Sequence, residues 1–482
     1  MKIVLFGFDG LRPDCITSAV MPNLRKFLDD NVQCKNSRSV FPTETYVNHP
    51  SIFSGFLPER HGLVANVFYD SGASRTEPFV GSKVEKVEMI DTLTKGRLYT
   101  VPTLTDTLSQ NGLSYISLST NSPGSTRLIA HNAKKNNGIN ISTSGLQYAI
   151  PEEFASRWGS SPQYGSFSLP DIQGIRKLNT MVDDLFTTIG MADVNIIWYG
   201  EPDNVFHAHG IGSPQAQEGL REVDTLFFQI MKRWCADEEV QVMVLSDHGH
   251  VTVTHHFDIV AALAAKGFKA SSNMEFNDGD AFTVVYGYSG LLYVGDTSLI
   301  APLSQALMEM DEIGLVFTDD LDGVQGVIEG TFSKRLVASD HPRSGEIRYV
   351  LQNSLEKNEF GFPGCCYCPD FIKIGGSIHG GLNPYEVNSV LGFGGSAFKK
   401  HTVVEETTSV IDVTPTIYEL LGIKPRMKVQ GKVVTAALKN GEPRKDDVPQ
   451  CFVASNKNGY SQSITIVYKD SIPYILHGER FS

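Results

Sequence analysis

A chain of 482 residues with 41% hydrophobic and 20% charged residues carries enough apolar side chains for a large buried core, the composition of a globular protein. Its formal net charge of −13 excludes a general nucleic-acid or membrane-surface binder built on a basic patch, so an anionic substrate would need local cations such as bound metal. No apolar run approaches the roughly 20 residues that span a bilayer, and no basic segment followed by a long apolar stretch opens the chain, so it reads as cytoplasmic, without membrane or nucleic-acid-polymer partners.

In chain order, residues 2–8, 194–199, 241–245 and 371–374 are short apolar runs, predicted as buried strands. They lead to Asp9, to Glu201 and Asp203, to Asp247, and to His379. Leu220, Val223, Phe227, Ile230 and Met231 have helical spacing, and the alternation of strands and helices predicts an α/β fold, a mostly parallel central sheet with helices on both faces. Ligands of such sheets gather at the carboxyl ends of the strands, which puts Asp9, Asp203 and Asp247 on one rim. Residues 1–266 thus form the first part of the core. Residues 267–370 break the pattern with Gly/Asp-rich turns, alternating runs at 282–286 and 290–294, and an amphipathic helix near 303–310, predicting an inserted α+β cap. The core resumes over 371–440, where Asp412 and Pro415 precede a short helix, and residues 441–482 suggest two or three terminal strands that close an edge or support a homodimer. Seven irregularly spaced cysteines do not make a disulfide framework. Cys365, Cys366 and Cys368 lack the Cys-x-x-Cys spacing of a zinc knuckle and read as a structural cluster.

The polar residues at the strand ends carry the chemistry. Asp247-His248 pairs a carboxylate with an imidazole, a donor set suited to zinc or manganese. Asp203 and His207 share one face if their turn is helical. Asp9 and His379 bring the set to four elements, enough for two metals. Thr43 and Thr45 each lie at a plausible helix start, where oriented N–H groups attract phosphate and a coordinated hydroxyl becomes a nucleophile. The Asp340-His341 pair reads as a turn. His250, His255 and His256 are candidates for orienting metal ligands, and His49 and His61 for holding the loop around Thr45.

The run Pro42-Thr-Glu-Thr-Tyr-Val-Asn-His49, then Gly55-Phe-Leu-Pro-Glu-Arg-His-Gly62 and Asn66, resembles the nucleotide pyrophosphatase/phosphodiesterase family (type I phosphodiesterase) of the alkaline phosphatase superfamily. Glu201-Pro-Asp203 with His207, Ser246-Asp-His-Gly249, Ile378-His-Gly380 and the segment from Asp412 to Gly422 match in order and spacing. The resemblance implies an alkaline-phosphatase-like fold and selects Thr45, directly before the aromatic Tyr46, as nucleophile. It implies one zinc on Asp203, His207 and His379, and a second on Asp9, Thr45, Asp247 and His248, with manganese accepted by the same ligands. Asn66 and the Thr45 N–H would donate to a nonbridging phosphate oxygen, and the reaction would pass through a phosphothreonine intermediate.

The implied activity is metal-dependent hydrolysis of phosphodiester or nucleotide pyrophosphate bonds in a small phosphorylated substrate. Residues 46–57 contain no arginine to clamp a monoester dianion, which favours a diester or pyrophosphate. Tyr46 is placed to stack on a nucleobase, with Tyr164 and Phe167 as candidates for the family's second aromatic. Ser122-Pro-Gly-Ser125 resembles a Trp-Pro-Gly-Ser stretch of the family but lacks its tryptophan. The alternatives are a phosphonoacetate hydrolase-like enzyme, using Lys134 and Lys135 to hold the substrate carboxylate, and a noncatalytic phosphate-ligand binding protein of the same fold.

Overall fold

The computed structural model describes residues 1–159, 168–445 and 448–481. Strand Lys2–Phe8 lies at the middle of a nine-stranded sheet, parallel to Val194–Tyr199 on one side and to Val240–Leu245 on the other. Its residues are small or apolar with period 2, and both sets are covered. Val4, Phe6 and Phe8 pack under the helices Ile172–Ile189 and Pro214–Trp234. Ile3 and Leu5 pack under Thr45–Ser54 and Val413–Leu421. Burial on both faces is what a parallel sheet flanked by helices requires, and it explains why these strands read as continuous apolar runs. Tyr115–Ser119 and Ile139–Ser142 extend the parallel part beyond Val194–Tyr199. On the opposite side, Leu391–Gly394 runs antiparallel between Val240–Leu245 and Val32–Arg38, and Thr402–Ser409 pairs parallel with Val32–Arg38.

A six-stranded sheet includes Asp280–Val285, Ser289–Val294, Ile313–Thr318 and Ile347–Leu351, with helix Ile300–Met308 between strands in sequence. The run at 290–294 was expected to alternate. Every residue of Ser289–Val294 is instead buried, because the sheet is covered on both faces. The terminal strands Gln450–Ser455, Ser461–Lys469 and Ile472–Arg480 form their own antiparallel sheet. It is tied to the six-stranded sheet by the Gln462 side chain, which bonds the N–H and carbonyl of Val316 at 3.1 and 3.0 Å. It is tied to the central layer by the Tyr474 hydroxyl, which donates to Asp412 at 2.8 Å. No helix among the described residues is long and apolar enough to cross a membrane.

One predicted strand is absent. Residues 371–374 form a turn in which Phe371 is 57% and Ile374 60% exposed. Lys373 interrupts the apolar run. Gly375 then adopts φ +86°, and Gly376 lies so near the His207 carbonyl that a Cβ would sit 2.4 Å from its oxygen. The strand that leads to His379 is Ser377–Ile378, only two residues long, paired with Val251–His256.

Gly7 couples this packing to the rim, since a Cβ there would lie 2.0 Å from the Trp198 ring, whose indole N–H donates to Asp9 at 3.0 Å. Gly7→Ala should therefore destabilise the fold by about 2 kcal/mol through overpacking, read as a lower denaturation midpoint at unchanged m-value. Unaltered stability would show that the Trp198 ring gives way freely.

Candidate metal and nucleophile site

The parallel register places the ends of three strands side by side, and their loops lock together through the backbone. The Asp9 N–H donates to Tyr199 O, the Asp203 N–H to Asp9 O, and the Gly10 N–H to the Asp247 carboxylate. Glu201, fully buried, accepts the N–H groups of Asp171 and Val205 and so fixes the start of helix Asp203–His209.

Asp9 is 1% exposed. Its Oδ2 accepts from Asn121 and Trp198, which leaves Oδ1 facing Thr45 Oγ1 at 3.4 Å and His248 Nε2 at 3.6 Å. Asp247 is fully buried, and its Oδ1 accepts the N–H groups of Gly10 and His248. Its Oδ2 has no hydrogen-bond partner and lies 3.3 Å from His248 Nε2. Thr45 is the first residue of its helix, 3.0 Å from His248 Nε2. The sequence left two threonines open, and their environments differ. The Thr43 hydroxyl bonds Glu386, Gly381 O and the Gly380 N–H. The Thr45 hydroxyl faces the carboxylate and imidazole groups.

A second group centres on Asp203 Oδ1, with His250 Nε2 at 2.9 Å, His207 Nε2 at 3.3 Å and His379 Nε2 at 3.4 Å. The expected i to i+4 face is present in helix Asp203–His209. The rings of His248 and His379 stack with centroids 3.7 Å apart, so the two groups adjoin.

The partners of the Nδ1 atoms sort these histidines. His207 Nδ1 meets Ser377 O at 2.7 Å, His379 Nδ1 meets Thr43 O at 2.7 Å, and His248 Nδ1 meets Gly249 O at 3.1 Å. A carbonyl only accepts, so each Nδ1 carries the proton, and in the neutral ring Nε2 presents a lone pair. That is the tautomer a metal ligand needs. His250 Nδ1 instead meets the Ser377 hydroxyl at 3.0 Å, which can donate, so His250 Nε2 can carry a proton and hold Asp203. The orphaned Asp247 Oδ2, the clustered carboxylates and the exposed imidazole lone pairs fit divalent cations. Among the described residues three groups can hold a metal: Asp203, His207, His250 and His379; Asp9, Asp203 and His248; and Asp9, His49 and Asp247.

Burial raises the Asp9 carboxyl well above its usual range, and the charges of Asp247 and Asp203 push it further. Burial also raises Asp247, to about 7. Burial opposes ionisation of Asp203 too, but without a bound cation the charge His207 adds when protonated, and the hydrogen bonds that protonated His207, His250 and His379 then donate to it, outweigh burial and leave its pKa well lowered. Burial pushes His250 and His49 down to about 3, and His248 well below its usual value, so these rings stay neutral.

Asn66 commits its Oδ1 to the Tyr46 N–H at 3.0 Å, so its Nδ2 is the end left to meet an acceptor, and its own N–H donates to Glu44. The Tyr46 ring packs on Gly81, where a Cβ would lie 2.2 Å from it. Tyr164 and Phe167 lie outside the described residues. His49 Nε2 has no hydrogen-bond partner and lies 3.8 Å from Asp9 and 3.7 Å from Asp247, closer to the chemistry than a loop-holding role suggests. His61 bonds Ser51 and the Leu63 N–H beneath the Thr45 helix. His255 stacks on Tyr367 and His256 bonds Ile372 O, so neither orients the ligands, whereas His250 does. His341 receives the Arg343 N–H within a turn. All seven cysteines are free, and no metal-capable group among the described residues includes one. Lys134 is 84% exposed and pairs with Glu152. Sequence reasoning missed Asn121, Trp198 and Glu386. Only Glu386 left a signal, as the third residue after Asn383 in a capping box.

The family model described as type I phosphodiesterase / nucleotide pyrophosphatase matches residues 3–301. Among curated proteins, the bis(5'-adenosyl)-triphosphatase enpp4 of Xenopus laevis is 43% identical over 70 residues, 14% of this chain and 16% of that protein. The bis(5'-adenosyl)-triphosphatase enpp4 of Mus musculus is 26% identical over 265 residues, 52% of this chain and 47% of that protein. Even this longer match spans only about half the length of the curated relative. Among solved structures, murine ectonucleotide pyrophosphatase/phosphodiesterase 5 superposes with a TM-score of 0.64, covering 91% of this chain and 100% of that chain at 17% identity, which shows a shared fold.

The raised Asp9 carboxyl has a testable sign. An acid whose folded pKa exceeds its unfolded value near 4 loses stability as pH climbs between the two, because the unfolded chain releases its proton first. Asp9→Asn removes that loss while leaving the other titrating groups in both proteins. In EDTA the variant should melt about 2 °C or more above the unsubstituted protein at pH 7.5, with a smaller gap at pH 4.5. Excess zinc should reverse the order. An equal gap at both pH values, or no reversal with zinc, would refute this reading of the site.

Proposed function

The chain belongs to the type I phosphodiesterase / nucleotide pyrophosphatase family, and from that premise we propose that it is a metal-dependent hydrolase of phosphodiester or pyrophosphate bonds with Thr45 as nucleophile. The observation that carries the proposal is the Thr45 hydroxyl at a helix N-terminus, 3.0 Å from His248 Nε2 and 3.4 Å from Asp9 Oδ1, beside the orphaned Asp247 Oδ2. Asp203, His207 and His379 would hold one divalent cation and Asp9, Thr45, Asp247 and His248 the other, with zinc suited to the imidazole-rich set and manganese accepted by it. When bound, such cations supply charge neutralisation for the phosphoryl oxygens and acidify a coordinated hydroxyl.

The protein's own groups do the rest. Asp9 Oδ1 and His248 Nε2 are the groups nearest the Thr45 hydroxyl; with both committed to a cation, the acidified hydroxyl would give its proton to solvent. Thr45 Oγ1 attacks phosphorus, and Asn66 Nδ2 with the Thr45 N–H donates to a nonbridging oxygen. The resulting phosphothreonine ester is hydrolysed by water entering where the leaving group departed. His250 holds Asp203 Oδ1 in place, a positioning role. The phosphonoacetate alternative gains no support, because Lys134 and Lys135, expected to hold its carboxylate, are both exposed and Lys134 is paired with Glu152.

Thr45→Ala should lower kcat about a thousandfold or more on bis(4-nitrophenyl) phosphate with zinc, while Thr45→Ser keeps measurable turnover. Full activity in Thr45→Ala would end the covalent mechanism. The unsubstituted protein should cleave this diester faster than 4-nitrophenyl phosphate, and the opposite order would sink the diesterase reading.

A further inference from the structure

A cavity of about 280 Å³ opens beside His207 and His379, walled elsewhere by Asn66, by residues 285–289 and by Phe371 and Ile372. Thr45 stands in the other group of ligands. In an in-line displacement the attacking and departing oxygens lie on opposite sides of phosphorus, so the departing substituent points away from Thr45, toward His207 and His379. This cavity is what it meets.

The walls state what fits. Tyr286 is 41% and Phe371 57% exposed, and Val67, Val285 and Ile372 add apolar surface. The only charged side chain other than histidine among the described lining residues is the Glu44 carboxylate. Lys373 lines an adjoining hollow, beside Asn204 and Ala208, that shares His207, Phe371 and Ile372 with this cavity. Beyond the cation that His207 and His379 would hold at its inner end, the described residues of the cavity wall offer an anion no positive side chain, so the outer charges of a pyrophosphate would lose water uncompensated, whereas an apolar ring gains by burial. Ser289 adds one polar feature, since its hydroxyl is buried without a hydrogen-bond partner and lines the cavity.

We propose that this cavity receives the leaving group and takes an uncharged aryl or apolar alkyl alcohol, which makes phosphodiesters of such alcohols, rather than pyrophosphates, the preferred substrate class. The inference rests on the phosphohydrolase reading above. In the step it describes, Thr45 Oγ1 loses its proton and bonds to phosphorus. The bond from phosphorus to the departing oxygen breaks with its electron pair, and that oxygen takes up one proton and leaves as the alcohol. Water then completes turnover, and no other reactant is needed.

Two substrates that transfer the same thymidylate test it: the phenyl ester of thymidine 5'-monophosphate, which releases phenol, and thymidine 5'-triphosphate, which releases pyrophosphate. Phe371→Lys puts a cation at the cavity mouth. It should lower kcat/KM on the phenyl ester about tenfold and raise it on the triphosphate about tenfold. Each ratio compares two proteins on one substrate, so the intrinsic reactivity of the leaving group cancels. Calorimetric titration of the zinc-loaded protein with phenylphosphonate gives a second readout, and its affinity should fall about tenfold in the variant. Tyr286→Lys carries the same expectations if a thermal melt shows that Phe371→Lys does not fold. Both substrates changing by one factor, or an unmoved ratio, would overturn the cavity assignment while leaving the phosphohydrolase reading intact. An unsubstituted, zinc-loaded protein that cleaves no phosphate ester or anhydride would overturn both.

Discussion

Carboxylates brought together at the end of one sheet are the constraint on which the rest of the site depends. Register alone sets Asp9 and Asp247 at adjacent strand ends, and the turn after Val194–Tyr199 adds Asp203. Two of the three are withdrawn from water almost completely. Burial disfavours the charged forms of Asp9 and Asp247, and the neighbouring carboxylates add to it in a poorly screened interior, so both resist ionisation without a cation. Such a cluster is a structural liability unless positive charge is added. The fold keeps it because parallel strands deliver all three groups from segments far apart in sequence to one point.

The surrounding residues divide the work of holding those charges. Asn121 and Trp198 engage one oxygen of Asp9, and backbone N–H groups engage one oxygen of Asp247, so each carboxylate is fixed with its other oxygen turned inward. The histidines are oriented by carbonyls at Nδ1, which fixes the tautomer before any ligand arrives. The carbonyl that orients His379 belongs to Thr43, two residues before Thr45. Glu386 in turn holds Thr43 through its hydroxyl and the Gly380 and Gly381 N–H groups. Nucleophile segment and distant histidine loop therefore share one buried hydrogen-bond network, and displacement of either shifts both.

Much of this was legible in the sequence, for reasons that differ by element. The strands leading to Asp9, Asp203 and Asp247 are buried on both faces, so their runs are mostly apolar, with few polar residues such as Asn195 and Gln241, and each gives way to polar residues beginning at Asp9, Glu201 and Ser246. Residues 371–374 have the same composition yet form a turn, because a charged Lys373 and two glycines outweigh four residues of apolar pattern. The Asp203–His207 pair was visible as helical spacing. Choosing Thr45 over Thr43 needed the family resemblance, since both stand at a helix start and only tertiary contacts separate their hydroxyls. His250 was grouped with His255 and His256 because proximity in sequence carries no information about which way a strand turns each ring. The cavity walls were illegible, as residues 285–289 and Phe371 meet only when two loops separated by more than 80 residues close on the same rim.

That division has a physical origin. Groups that hold the clustered carboxylates must sit on rigid, buried elements, since small displacements cost much in a site where charges are poorly screened. Rigid buried elements leave strong periodic patterns. The cavity, by contrast, combines buried residues such as Tyr288 with the exposed Tyr286 and Phe371, which lie in connecting segments and are free of core packing on one side. Tyr286 and Phe371 can change without disturbing the carboxylate cluster, because neither shares a hydrogen bond with it. The protein thus separates chemistry fixed by sheet register from leaving-group recognition carried by loops. Beyond the cation proposed at His207 and His379, Glu44 is the one charged non-histidine side chain among the described residues of the cavity wall, so its outer part favours a departing group without negative charge.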